Sequence, residues 1–181
     1  RRRIQRYVWL RGLGVATVMA CTVFAAISGS SVATAITVGA AAIPQMIRHG
    51  YNPKVAYGVV GGGGTLGILI PPSGPMVLYG IVSDTSIGAL FIAGVVPGLM
   101  LAAIFAVWCM ADARFGRYRP PTLPRATWRE MGAAVRKSFW SLALPVVVLG
   151  GMYLGVFTVT EAAAVGALAA LLVAAVVYRN L

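Results

Sequence analysis

The stretch that decides the fold runs from Gly63 to Ser73 and reads Gly-Gly-Thr-Leu-Gly-Ile-Leu-Ile-Pro-Pro-Ser. It lies inside an apolar segment, 55–82, that contains no charged residue. Proline removes the helical N–H and clashes with the preceding turn, and glycine costs about 1 kcal/mol relative to alanine within a helix. The composition therefore predicts a helix that is interrupted between about Gly64 and Gly74.

A second uncharged stretch, 12–47, comes before this segment and is too long for one membrane crossing. As a single helix it would measure roughly 54 Å, whereas a bilayer core is about 30 Å thick. Its centre carries Ser28-Gly29-Ser30-Ser31, small polar residues that weaken a helix, and basic residues flank both ends. We expect a re-entrant helical hairpin with arms about 24 Å long and its serine tip deep in the membrane.

Composition and charge place the chain in a membrane. It is 59% hydrophobic and 10% charged, with a mean hydropathy of +0.85, whereas an ordinary globular domain is about 25% charged. The net charge of +11 comes from basic runs at 1–11, 48–54 and 114–137 and from Arg179, between apolar segments. This is the positive-inside pattern of a membrane protein rather than a nucleic-acid surface. It predicts that these runs face the cytoplasm, while Asp84 and the turn at 157–161 face outward.

The pattern predicts an all-α polytopic membrane protein in five parts. These are a basic N-terminal segment with the hairpin (1–54), a broken transmembrane helix (55–82), a transmembrane helix (87–111), a basic cytoplasmic loop (112–138) and a two-helix transmembrane hairpin (139–178). Within the last part, Thr160 is predicted as the N-cap and Glu161 as the first-turn acid of the second helix. Because the sequence starts without Met and stops just after an apolar helix, we expect a fragment of a longer chain.

Two helix interruptions inside apolar segments favour a transport site. Interrupted helices place free carbonyls and helix ends near the middle of the bilayer, where they bind ions and anionic groups. From the residues alone, a secondary transporter, a channel and a purely structural membrane protein all remain open, because glycine and serine also allow close helix packing. Neither an enzyme nor a cofactor is expected, since the acidic residues are scattered: Asp84, Asp112, Glu130 and Glu161.

Long ordered motifs run along most of the chain. They are Ile27–Ala35, Ile43–Met46, Gly50–Pro53, Gly63–Ser73, Thr85–Gly88, Phe91–Gly94, Pro97–Leu99 and Gly155–Ala164. In this order they resemble the first inverted repeat of the large membrane subunit, the DctM-type permease, of tripartite ATP-independent periplasmic (TRAP) transporters. The chain departs from the family at Val159, where proline is usual, and at Gly74, where a bulkier residue is frequent.

The resemblance implies an ion-transporter-superfamily fold in which a mobile part moves like an elevator against a scaffold. The hairpin tip and the broken helix then hold sodium and substrate. The sodium-binding residues would be Ser28, Gly29, Ser30, Ser31, Gly64, Thr65 and Gly67, and the substrate-binding residues Thr34, Pro71, Pro72 and Ser73. Sodium, as the coupling ion, is the only metal expected.

The resemblance also implies the setting in which the chain works. It would be a multi-pass subunit of a bacterial or archaeal cytoplasmic (inner) membrane, importing organic acids such as dicarboxylates by sodium symport. Its expected partners are a small TRAP membrane subunit and an extracytoplasmic solute-binding protein that delivers the carboxylate. A channel or another re-entrant-hairpin membrane protein is the alternative function.

Overall fold

The computed structural model describes residues 12–115 and 128–178, and these residues form helices joined by short turns. The predicted all-α fold is therefore confirmed for the residues described. Three predicted basic stretches lie outside them, in whole or in part: 1–11, residues 116–127 of the basic loop, and Arg179. The chain divides into two compact units, residues 1–125 and 126–181.

Within the first unit, the described residues 12–115 form five α-helices and a short 3₁₀ segment. They are α1 (Gly12–Ser28), α2 (Ser31–Arg48), α3 (Pro53–Thr65), the 3₁₀ segment Leu66–Ile68, α4 (Gly74–Val82) and α5 (Ile87–Phe115). Its core is apolar and joins α1, α2, α3 and α5 in two adjoining clusters. One cluster consists of Cys21, Ala25, Val38, Leu66, Ile70 and Ala102, and the other of Val18, Met46, Ala56, Val59 and Cys109.

The turn between α1 and α2 is only two residues long. Gly29 ends α1 with φ +61°, a left-handed conformation that favours glycine, and its N–H donates to the carbonyl of Ala25 at 3.0 Å. Ser30 is extended and starts α2 as its N-cap, since its hydroxyl accepts from the N–H of Ala33 at 3.3 Å. Local glycine and serine chemistry thus folds α1 and α2 into a tight antiparallel pair.

The interruption after α3 follows from its prolines. α3 ends at Thr65, α4 starts at Gly74, and Pro71 and Pro72 lie in the non-helical segment between them. Neither proline can donate a helical hydrogen bond, so the helix cannot continue through them. The segment nevertheless remains inside the fold, because Leu66 and Pro71 are fully buried.

α5 is the one described helix that is both long enough and apolar enough to cross a membrane. Its most apolar 18-residue window has a mean hydropathy of 2.5 but is only 22% buried in the fold. A core helix of a soluble protein would be mostly buried, so the exposed apolar surface of α5 is typical of a helix that faces lipid. Shorter apolar helices are Gly12–Ser28, Ala143–Tyr153 and Thr160–Val176.

In the second unit, the described residues 128–178 form α6 (Trp128–Tyr153) and α7 (Val159–Leu172), and α7 continues into a π-helical turn, Val173–Tyr178. The predicted N-cap Thr160 is wrong, because the cap is Thr158. Its hydroxyl accepts from the N–H of Glu161 at 3.3 Å, and the Glu161 carboxylate accepts from the N–H of Thr158 at 2.8 Å. This capping box needs Glu three residues after the cap, a spacing that Thr158 satisfies and Thr160 does not.

The helices extend further into the predicted loop, 112–138, than the sequence suggested. α5 continues to Phe115 and α6 begins at Trp128. The stretches by which the two helices exceed the prediction, 112–115 and 128–138, both contain alanine and arginine, which are good helix formers. The three prolines of the loop, at 120, 121 and 124, fall between the two helices in the sequence.

Candidate functional site

The turn between α1 and α2 lies directly against the interrupted segment between α3 and α4. A Cβ atom added to Gly29 would collide with the carbonyl oxygen of Pro72. One added to Gly67 would lie 2.6 Å from the carbonyl carbon of Ser30 and 2.8 Å from the nitrogen of Ser31. Real Cβ atoms essentially never come within 3.0 Å of such neighbours, so each glycine allows one backbone to touch the other.

α3 packs against the hairpin through the same glycine run. A Cβ on Gly64 would lie 2.8 Å from the Cβ of Ala35 and 3.2 Å from the carbonyl oxygen of Ser31, and one on Gly63 would lie 2.7 Å from the Sγ of Cys21. Gly61, two residues before Gly63, has nothing within 4 Å of its Cβ position. Glycine at 63 and 64 therefore serves close helix approach, whereas Gly61 faces open space.

Hydroxyl groups hold the hairpin tip together. The hydroxyl of Thr34 donates to the carbonyl of Ser30 at 2.7 Å and lies 3.0 Å from the hydroxyl of Ser28. Thr34 is fully buried, so these contacts take place away from solvent. The structure therefore places Thr34, a predicted substrate residue, inside the tip beside two predicted sodium-site residues.

Ser73 stabilises the interrupted segment, which forms the other side of the contact, through a hydrogen bond. Its side chain is 1% exposed, and its hydroxyl donates to the carbonyl of Ile68 at 2.7 Å across the interrupted segment.

Thr65 differs from the other predicted site residues. It is exposed, and its hydroxyl donates to the carbonyl of Gly62 at 2.6 Å within its own helix, rather than toward the hairpin tip.

α5 packs closely against the interrupted segment, a contact that the sequence analysis missed. A Cβ on Gly94 would lie 2.8 Å from the carbonyl oxygen of Leu69, and one on Gly98 would lie 2.8 Å from the Cγ1 of Ile70. Two glycines four residues apart lie on one helix face and allow close packing in membrane proteins. The Gly94-x-x-x-Gly98 spacing was therefore the signal that could have revealed this contact.

The contact region is rich in oxygen atoms and free of formal charge. Residues 12–47 and 55–83 contain no Asp, Glu, Lys, Arg or His. Among the main-chain hydrogen bonds of turns and caps in the described residues, none ends on the carbonyl of Pro72. The described residues also hold no group of three or more His, Cys, Asp or Glu that could bind a metal. Any ion bound at this contact would therefore have hydroxyl and main-chain oxygens as its protein ligands.

The fold and the contact together define a class of protein. A helical chain with exposed apolar helices and an uncharged contact between a helix-pair turn and an interrupted helix has the features of an integral membrane protein. The family model described as tripartite ATP-independent periplasmic transporter, DctM component, matches residues 8–181. The chain belongs to this family, as the motifs predicted.

Several curated proteins of the family are similar to the chain. The C4-dicarboxylate TRAP transporter large permease protein DctM of Pseudomonas aeruginosa is 51% identical over 170 residues, which are 94% of this chain and 39% of that protein. The ectoine TRAP transporter large permease protein TeaC of Halomonas elongata is 45% identical, with the same coverage of both chains. The sialic acid TRAP transporter large permease protein SiaM of Vibrio cholerae is 41% identical over 93% of this chain and 39% of its own length. The chain thus spans about two fifths of the length of these relatives.

Proposed function

We propose that this chain forms one half of the ion and solute site of a sodium-driven TRAP permease that imports organic acids. The observation that carries the proposal is the reciprocal backbone contact of Gly29 with Pro72 and of Gly67 with Ser30. It joins the hairpin tip to the interrupted helix, so that oxygen atoms from two distant parts of the sequence lie at one place. Family membership supports the same function.

Sodium suits the oxygen atoms of this contact. It is a hard cation that prefers oxygen ligands, and the carbonyls at a helix C-terminus carry partial negative charge. α1 and α3 both end here, at Ser28 and Thr65, beside the carbonyls of Ser30 and Ser31. The proposed sodium ion therefore lies between the tip and the segment Gly64–Gly67, without a buried carboxylate.

A carboxylate solute suits the neighbouring helix starts. α2 and α4 begin at Ser31 and Gly74, and a helix N-terminus offers free N–H groups and partial positive charge to an anion. In this proposal, Thr34 and the segment Pro71–Ser73 line the solute side of the site. The names of two relatives refer to acids, C4-dicarboxylate and sialic acid, which supports an acidic solute.

In the proposed topology, the hairpin is re-entrant and the α3–α4 span is broken within a cytoplasmic membrane that the chain crosses several times. Lys54, in the first turn of α3, and Asp84, between α4 and α5, then face opposite sides. Single cysteines at these two exposed positions, in a protein with Cys21 and Cys109 replaced by alanine, test the topology. We expect an impermeant thiol reagent to label position 84 from outside intact cells and position 54 only after lysis. Labelling of both positions from the same side would refute the topology.

The complete permease is proposed to work with partners and by elevator-type movement. A small membrane subunit would dock on it, and an extracytoplasmic solute-binding protein would deliver the solute. Vesicles containing the complete permease and the small subunit should therefore accumulate solute only when the binding protein and a sodium gradient are both present. Full uptake in the absence of the binding protein would contradict this part of the proposal.

Substitutions at the contact test the site itself. Ser30→Ala, Ser31→Ala and Pro72→Ala should each raise the sodium concentration needed for half-maximal uptake by the complete transporter. Ser83→Ala is the matched control, because its hydroxyl lies in an exposed turn and donates to the carbonyl of Tyr79. If all three site variants keep the sodium dependence of the control, the site lies elsewhere and these residues only pack the helices.

A further inference from the structure

One face of α6 carries two arginines separated by two small residues. A cavity of about 620 Å³ is lined by Arg129, Gly132, Ala133 and Arg136, and all four residues are exposed. They are spaced three, four and seven residues from Arg129, which places them on the same side of two helical turns. The small residues leave an open bay between two long cationic side chains, which we call the arginine bay.

The same face continues into an aromatic residue. Trp140 follows Arg136 by four residues and Arg129 by eleven, so it lies on the same stripe of the helix. It is 49% exposed, and its ring meets the edge of Phe139 with centroids 5.7 Å apart and planes at 78°. Exposed tryptophan is typical of the interface between membrane and water. The stripe therefore changes from cationic to aromatic along α6.

We propose that the arginine bay binds the phosphate headgroup of an anionic phospholipid. Arginine forms bidentate, charge-assisted hydrogen bonds to phosphate oxygens, and the two arginines of the bay lie about 10 Å apart along the helix axis. A headgroup seated over Gly132 is within reach of both, and Trp140 lies where the acyl chains begin. This binding does not depend on which solute the protein transports.

Charge favours a lipid over a neutral occupant. Residues 128–140 contain three cations and one acid, and a basic cluster beside a membrane helix attracts anionic lipids by about 1 kcal/mol for each Lys or Arg near the surface. An acidic protein segment would match the charge as well. The exposed ring of Trp140 at the end of the stripe favours the membrane interface, so we assign the bay to lipid.

Gly132 gives a variant whose added side chain starts in the open space of the bay. A Cβ at Gly132 has nothing within 4 Å, so Gly132→Leu adds a side chain to open space between the arginines. Gly150 is the matched control, because it lies on the same helix outside the bay and its Cβ position is also free of neighbours. Gly150→Leu therefore makes the same chemical change away from the proposed ligand.

The test measures lipid binding to the complete permease, purified and delipidated in a neutral detergent. Phosphatidylglycerol and phosphatidylcholine are titrated separately, and bound lipid is counted by native mass spectrometry. We expect tighter binding of phosphatidylglycerol, and about fivefold weaker binding of it in Arg129→Gln and in Arg136→Gln. Gly132→Leu should weaken it by a similar factor, whereas Gly150→Leu should bind like the unmodified protein.

Competition with inorganic phosphate separates a lipid site from a simple phosphate site. At concentrations that match the ionic strength of a chloride control, phosphate should displace little phosphatidylglycerol, because it lacks the acyl chains. Full displacement by phosphate, equal binding of the two lipids, or unchanged binding in both arginine variants would overturn the proposal. If Gly132→Leu lowers the unfolding temperature, the arginine variants, which lie on the exposed surface, decide the outcome.

Discussion

Gly67→Ala is the substitution that tests the central contact most directly. The new Cβ would lie 2.5 Å from the carbonyl oxygen of Ser30 and 2.6 Å from its carbonyl carbon. Both atoms belong to the backbone, so neither can rotate away as the end of a long side chain could. One of the two chain segments must therefore move, and the hairpin tip must separate from the interrupted helix.

The expected change in the free energy of unfolding is the balance of two opposing effects. Overpacking of a close contact costs about 1–3 kcal/mol, while replacing glycine by alanine in a helical segment returns about 0.5–1 kcal/mol. We expect Gly67→Ala to lower the free energy of unfolding by about 1–2 kcal/mol, which corresponds to about 2–8 °C in a chain of this size. Gly61→Ala is the matched control, since its Cβ meets nothing within 4 Å, and it should leave the unfolding temperature unchanged or raise it.

Thermal unfolding of the purified protein in detergent measures both variants under the same conditions. Sodium-dependent uptake by the complete transporter adds a second measurement, in which Gly67→Ala should need more sodium for half-maximal rate and Gly61→Ala should not. If Gly67→Ala unfolds at the temperature of Gly61→Ala or above it, Gly67 does not touch Ser30 as described. The proposed site between the hairpin tip and the interrupted helix would then be refuted as well.

Two further substitutions test local interactions. Thr34→Val removes the buried hydroxyl that links Ser28 and the Ser30 carbonyl, so we expect a loss of about 1–3 kcal/mol in thermal unfolding, and an unchanged unfolding temperature would contradict the network. Glu161→Gln tests the capping box. The main-chain and side-chain hydrogen bonds from Thr158 lower the pKa of the Glu161 carboxyl below its usual value. The cap therefore stabilises the fold above the ordinary Glu pKa, and this contribution is lost as the pH falls through the lowered pKa of Glu161. The unfolding temperature of Glu161→Gln should therefore fall less than that of the unmodified protein between pH 6 and pH 3, about the range of Glu titration, and identical pH profiles would count against the box.

Local chemistry made much of the chain predictable. The absence of charge over two long stretches indicated a membrane protein, and the proline pair indicated where helical hydrogen bonding could not continue. Glu161 was placed correctly in the first turn of its helix. Its cap was not, because Thr158 and Thr160 are the same residue type and only the three-residue spacing to Glu161 distinguishes them.

By itself, the sequence determined the helical class, the apolar segments and the residues that interrupt them, since each depends on neighbours along the chain. Only the tertiary structure decided that Gly29 meets Pro72 and that Gly67 meets Ser30. These partners are about forty residues apart in the sequence. Because glycine has no side chain, its position in the sequence does not indicate which residue it contacts. Which backbone approaches another is set by how whole helices pack, and that depends on all the contacts of the core together.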